Sequence, residues 1–175
     1  MDRALRWAML AMGAWLAGSV LVSVVATQNF RTVDRLLDGS KNAAFNSAVG
    51  RLGQPAARDT LRYLSSELNR LYFRLWNVAQ VVLGVLVFWL ISGGPASRAR
   101  IVIAGMLAIS LLMLVWLTPQ VTAVGRSLDF VPREPPSPSL RQFWILHGLY
   151  TSLELVQLLL GALAAVWIGR AGGIR

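Results

Sequence analysis

Cysteine is missing from this chain altogether, histidine occurs once, and charged residues make up only 14% of its 175 positions. Each shortage closes off a class of chemistry. Without cysteine there is no disulfide, no thiolate metal site and no thiol nucleophile, and the redox state of the compartment leaves no trace. With His147 as the lone imidazole, a haem held by two histidines cannot be built within one chain. A zinc site would need more ligands than His147 and Glu154 supply. No phosphate loop, nucleophile triad or dinucleotide fingerprint is present either, so enzyme is the weakest functional class, and neither a cofactor nor a metal is expected.

What fills the chain is apolar. Hydrophobic residues account for 55% of it, and the mean hydropathy of +0.56 is too high for an ordinary soluble domain of this size. Four runs are long enough to cross about 30 Å of hydrocarbon at roughly 20 residues each: residues 7–26, 71–91, 101–118 and 143–168. The expectation is an all-α integral membrane four-helix bundle, a single domain over residues 1–175, with an amphipathic extramembrane helical arm. A formal net charge of +9 would point to nucleic acid in a soluble protein. Here the Lys and Arg residues lie mostly beside span ends and in loops, where anionic lipid headgroups are the nearest partner. The bilayer of the cell membrane is therefore the expected partner and nucleic acid is not; a second copy of the chain or another membrane protein is the further candidate.

In chain order, a short basic lead, Met1–Arg6, enters the first apolar run. Val24 and Ala26 fit the small-residue rule for signal cleavage, but a run of about 20 residues exceeds the 7 to 15 of a signal core. Gly13, Ala14, Ala17 and Gly18 form overlapping small-xxx-small pairs suited to close helix packing. A retained first span is expected, continuing as helix beyond the membrane to a stop at Gly39.

Pro55 suits a first helical position. Beyond it Leu61, Leu64, Leu68, Leu71 and Leu75 recur at three and four, with Asp59/Arg62 and Glu67/Arg70 as pairs on the polar side. This predicts one helix from Pro55 through Ile91, its outer part lying on the membrane surface or against residues 45–52. The plainer reading is a solvated extension that only joins two spans. Residues 92–100 read as a tight turn between antiparallel neighbours. The third span is apolar until Thr118 and Pro119, where the missing donor predicts a kink or stop. Four prolines in residues 129–139 predict an extended loop without a core, after which Ser139 and Gln142 make a capping box.

Six of the seven tryptophans fall within about two turns of a span end, where aromatic belts belong. A count of Lys and Arg favours the cytoplasm for the two long loops, which with Arg74 at the start of the second span hold eleven of the seventeen, but counting the acids as well gives net +5 on each side and leaves the orientation open.

The fourth span carries the lone His and the one carboxylate within a span. His147, Tyr150, Glu154 and Gln157 step by three, four and three, so all four project from one helical face. An ionisable residue at that depth is costly unless it faces protein, water or a partner, so this face must look into the bundle. At 1.5 Å per residue, Asn77 and Gln80 lie about 9 and 14 Å below Leu71, and His147 and Glu154 about 8 and 18 Å below Gln142. Gln80 is thus expected to meet Glu154, and Asn77 to meet His147, with Arg74 near the mouth. Two readings follow. One is a polar cavity between the second and fourth spans, open to the long-loop side, that holds a proton, a cation or a small polar ligand. The other is helix glue, in which an uncharged Glu154 and the amides satisfy one another. The other half of the bundle is nearly featureless.

Several short pieces carry a family resemblance. Ala17-Gly18 through Ala26 with Phe30-Arg31 close the first span, Pro119 and Arg126 close the third, and Phe143-x-x-Leu146-His147-Gly148 opens the fourth. Together they resemble the four-span membrane group related to the transmembrane protein 205-like domain, over most of the chain. In that family the Leu-His pair is typically followed by a Ser and then an Asn, where this chain has Tyr150 and Glu154. The resemblance implies a four-helix membrane bundle with no settled activity. The function expected from all of this is that of a structural or interaction protein of the membrane; the alternative is a small-solute, proton or cation transporter.

Overall fold

The computed structural model describes residues 3–94, 96–132 and 135–173. The ends of the basic lead and the tail, Pro95 of the tight turn, and Arg133 and Glu134 of the proline-rich loop lie outside them. The chain is all-α. Helix α1 spans Arg3–Gly39, α2 Ala43–Leu52, α3 Gln54–Ser92, α4 Ser97–Leu112, α5 Thr118–Arg126 and α6 Pro138–Ala171, with a π-turn at Met113–Leu117 joining α4 to α5. Four helices, counting α4 through α5 as one, are long and apolar enough to cross a membrane. This is a multi-pass membrane protein.

The four long helices form a square in which α1 and α4 each pack against α3 and α6. At 37 and 39 residues, α1 and α3 are about 55 and 58 Å long, so each overshoots the hydrocarbon by more than about 20 Å. Their overshoots pair side by side and make the arm. Gly53 turns the chain from α2 into α3 at φ +85°, a backbone shape that favours glycine. The fold-back packs Val49 and Phe45 of α2 on Val33 and Leu37 of α1 and on Ala57 and Leu61 of α3. The outer part of α3 therefore lies against residues 45–52 and against α1.

Lipid tails are as apolar as leucine, so close packing rather than water exclusion holds such helices together. Of Gly13, Ala14, Ala17 and Gly18, only Gly18 meets another helix: a Cβ there would fall 2.1 Å from Cη2 of Trp76. Gly13 has nothing within 4 Å, and Ala14 and Ala17 are exposed with it. The inward face of α1 is Leu5, Ala8, Met12, Trp15 and Ser19. Close approach is achieved from the other side, at Gly84 of α3 against Trp15 and at Gly161 of α6 against Leu16. Trp15, the one tryptophan away from a span end, is buried in the apolar half with its Nε1 unbonded.

Several local expectations are corrected. Pro119 does not stop the third span; the preceding turn loosens instead, and the Thr118 amide reaches back five residues to the Met113 carbonyl. Inserting that extra residue accommodates a proline that has no N–H to give, and the helix continues to Arg126. Residues 127–130 are turns, and Phe130 takes a left-handed φ of 58° with its ring 5.2 Å from that of Tyr63, so the loop begins packed rather than extended. The last helix starts two residues earlier than a Ser139 cap requires, with Pro138 in its first turn and Ser137 as N-cap without a side-chain bond. Proline's fixed φ and absent donor favour that position. Glu67 pairs with Arg70, whereas Arg62 reaches across to Asp34 at 3.0 Å rather than to Asp59.

Candidate functional site

Polar side chains line the interior in levels, from the base of the arm to beyond mid-bundle. At the arm base, Asn29 Nδ2 donates to Asn69 Oδ1 (2.6 Å) and Asn69 Nδ2 to the Ala26 carbonyl (3.0 Å), clasping α1 to α3. Lower down, Asn77 Nδ2 donates to the Thr118 hydroxyl and Asn77 Oδ1 accepts from Tyr150 OH at 2.9 Å. The π-turn makes this level possible. Met113 and Thr118, five residues apart, both point inward, which a regular α-helical turn would not allow.

The next level centres on Glu154, near the middle of α6. Gln80 Nε2 lies 3.1 Å from Oε1 and 3.2 Å from Oε2. Ser19 Oγ donates to Oε2 at 3.3 Å and itself accepts from Trp76 Nε1 at 3.2 Å. Three spans, α1, α3 and α6, meet at one carboxyl group. Deeper still, Gln157 Oε1 accepts from Ser110 Oγ at 3.2 Å while its Nε2 lies 3.4 Å from Met113 Sδ.

The residues singled out in the sequence thus separate. Tyr150, Glu154, Gln157, Asn77 and Gln80 are buried between helices, and Gln80 reaches Glu154. His147 does not reach Asn77, whose Oδ1 is taken by Tyr150. Its half-buried ring stacks on Phe143 at 5.6 Å with an interplanar angle of 12°, and meets the edge of Trp144. Arg74 is exposed and forms no ion pair among the described residues. Sequence reading missed Ser19, Ser110 and the indole donor of Trp76. Ser110 is the one hydroxyl within the apolar run of the third span, and Ser19 continues the Met12–Trp15 spacing, so both carried a signal.

At the arm base outside the bilayer lies a second cluster. Arg70 grips Asp129 through both terminal nitrogens at 2.9 and 2.8 Å and also bonds Glu67, which accepts Nε and Nη2 of Arg126 at 3.3 Å. The Arg126 and Arg70 guanidiniums hold the Glu67 carboxyl below its ordinary range. Among the described residues no three of His, Asp and Glu gather where one metal ion could be held.

Fold and interior together define an all-helical multi-pass membrane protein with a hydrogen-bonded polar core. No protein-family model, curated protein or solved structure matches the chain.

Proposed function

We propose that the chain is a structural or interaction protein of the cell membrane whose working surface is the helical arm. One observation carries this reading: the arm is continuous with two spans and braced across. Helices α1 and α3 run unbroken from the bundle into it, and Arg62–Asp34, Asn29–Asn69 and the small core under α2 lock the two together. A connector that only joins two spans needs none of this. A braced projection holds a binding surface at a fixed distance and angle from the membrane, and it leaves Leu52 and Leu64 on its outside at 56% and 54% exposure.

The alternative is a small-solute, proton or cation transporter with its path between α3 and α6. The interior residues that would line that path, Asn77, Gln80, Tyr150 and Glu154, are instead bonded to one another or to neighbouring spans, which favours the interaction reading. Kinship to the transmembrane protein 205-like group is proposed on the sequence pieces alone and adds no activity.

The test is complementation of cells that lack the chain. Leu52→Asp and Leu64→Asp are expected to abolish the cellular role at normal protein level, while His147→Ala and Glu154→Gln preserve it. The reverse pattern would replace the interaction reading with transport.

A further inference from the structure

Donors and acceptors around Glu154 do not balance. Donors reaching the group are Ser19 Oγ–H and Gln80 Nε2, with the Trp76 indole N–H spent on Ser19 and the Tyr150 hydroxyl, which also lies beside the carboxyl group, giving its one hydrogen to Asn77 Oδ1. The acceptors are two carboxyl oxygens and Gln80 Oε1, and that last atom is fully enclosed without a partner. Gln80 itself is 0% exposed.

The charge does not balance either. From α1 the cluster meets Ser19; from α3 it meets Trp76, Asn77 and Gln80; from α4 and the π-turn it meets Ser110 and Met113; from its own helix, Tyr150 and Gln157. None is a cation. Arg74 is exposed, His147 lies about two turns away against Phe143 and Trp144, and Arg70 is committed to Asp129 and Glu67. A bare carboxylate here would be a buried anion with no counter-charge.

One hydrogen repairs both faults. We propose that Glu154 and Gln80 form a proton-binding site at the centre of the bundle, the proton residing on the carboxyl group and donated to Gln80 Oε1. A turn of the amide about its last side-chain torsion sets Oε1 and Nε2 side by side against the acid, giving two parallel bonds, O–H to Oε1 and Nε2–H to the carboxyl C=O. The ionised form forbids this, since two oxygens would face each other, and it leaves Oε1 turned away and unpaired, as it stands here. A dehydrated metal cation would need about six oxygens. This cluster offers those of Glu154, Gln80 and Ser19, and Ser19 is already engaged on both sides. Loss of the proton would strand a charge where three spans meet, so the site couples protonation to the packing of α1, α3 and α6. The inference is independent of what the arm binds.

The test is infrared spectroscopy of the full chain in lipid nanodiscs. All other Asp and Glu residues lie outside the four spans. At pH 7 a protonated-carboxyl band that shifts in heavy water is expected in the native protein and is expected to vanish in Glu154→Gln. In Gln80→Leu the band should move to higher frequency as its carbonyl loses the amide donor. Absence of the band at pH 7 in sodium-free buffer would overturn the proposal, as would an unmoved band in Gln80→Leu. Loss of the band on adding sodium chloride at constant pH would replace the proton with a metal cation. The native spectrum needs no variant to fold, so a misfolded substitution leaves the main result readable.

Discussion

The Trp76 indole lies against Gly18, so close that a methyl group on Gly18 would fall 2.1 Å from ring atom Cη2 and 2.4 Å from Cζ3. This contact lets the indole lean across α1 and donate to Ser19, which in turn bonds Glu154. Replacing glycine by alanine within a helix ordinarily stabilises it by up to about 1 kcal/mol. At Gly18 the sign should reverse, with a net loss of about 1–3 kcal/mol from forcing the ring away. Gly13→Ala, with open space at the same helix, should show the ordinary gain. Thermal unfolding of both variants in one detergent measures the contrast, and equal behaviour would mean that Trp76 is not seated on Gly18.

The fork of Arg70 on Asp129 is mostly buried, its side chains 13% and 17% exposed. It ties α3 to the turn after α5. Arg70→Ala should cost about 1.5–3 kcal/mol, the usual range for hydrogen bonds to a charged group. Arg70→Lys should recover little of that, because an ammonium cannot make two parallel bonds. Limited proteolysis within residues 127–132 should accelerate in both variants. An unchanged cleavage rate in Arg70→Lys would show that charge alone holds the turn.

Stability should depend on acid through Glu67. Hydrogen bonds from Arg126 and then Arg70 hold its carboxyl below the ordinary range in the folded chain. A folded carboxyl that ionises more readily than the unfolded one stabilises the fold above the ordinary carboxylate range, and that contribution is lost as pH falls through the lowered value. The difference in melting temperature between the native chain and Glu67→Gln should therefore be full near neutrality and should shrink below about pH 4. A difference that grows on acidification would contradict the assignment.

Four crossings return the chain to the side on which it began. Single cysteines at Arg3 and Arg170 should react alike with a membrane-impermeant thiol reagent applied to intact cells, and a cysteine at Arg51 on the arm should react oppositely. The native chain contributes no background, having no cysteine of its own. Opposite labelling of positions 3 and 170 would remove one span from the count.

Hydropathy and spacing alone determined the number of long helices, the helical course from the first span to Gly39 and from Pro55 to Ile91, and the meeting of Gln80 with Glu154. These follow from local rules: an apolar run of bilayer length must satisfy its own backbone, and helical rise fixes depth. Tertiary structure decided the rest. In lipid, outward and inward faces are equally apolar, so the stretch containing Gly13, Ala14, Ala17 and Gly18 could not reveal that only Gly18 faces another helix. Likewise, depth brought His147 level with Asn77, but rotation about the helix axis placed Tyr150 there instead. That rotation depends on how four helices pack and on the π-turn before Pro119 that swings Thr118 inward. Which residue bonds which across helices is set by the phase of each helix against its neighbours, and no single segment of sequence encodes that phase.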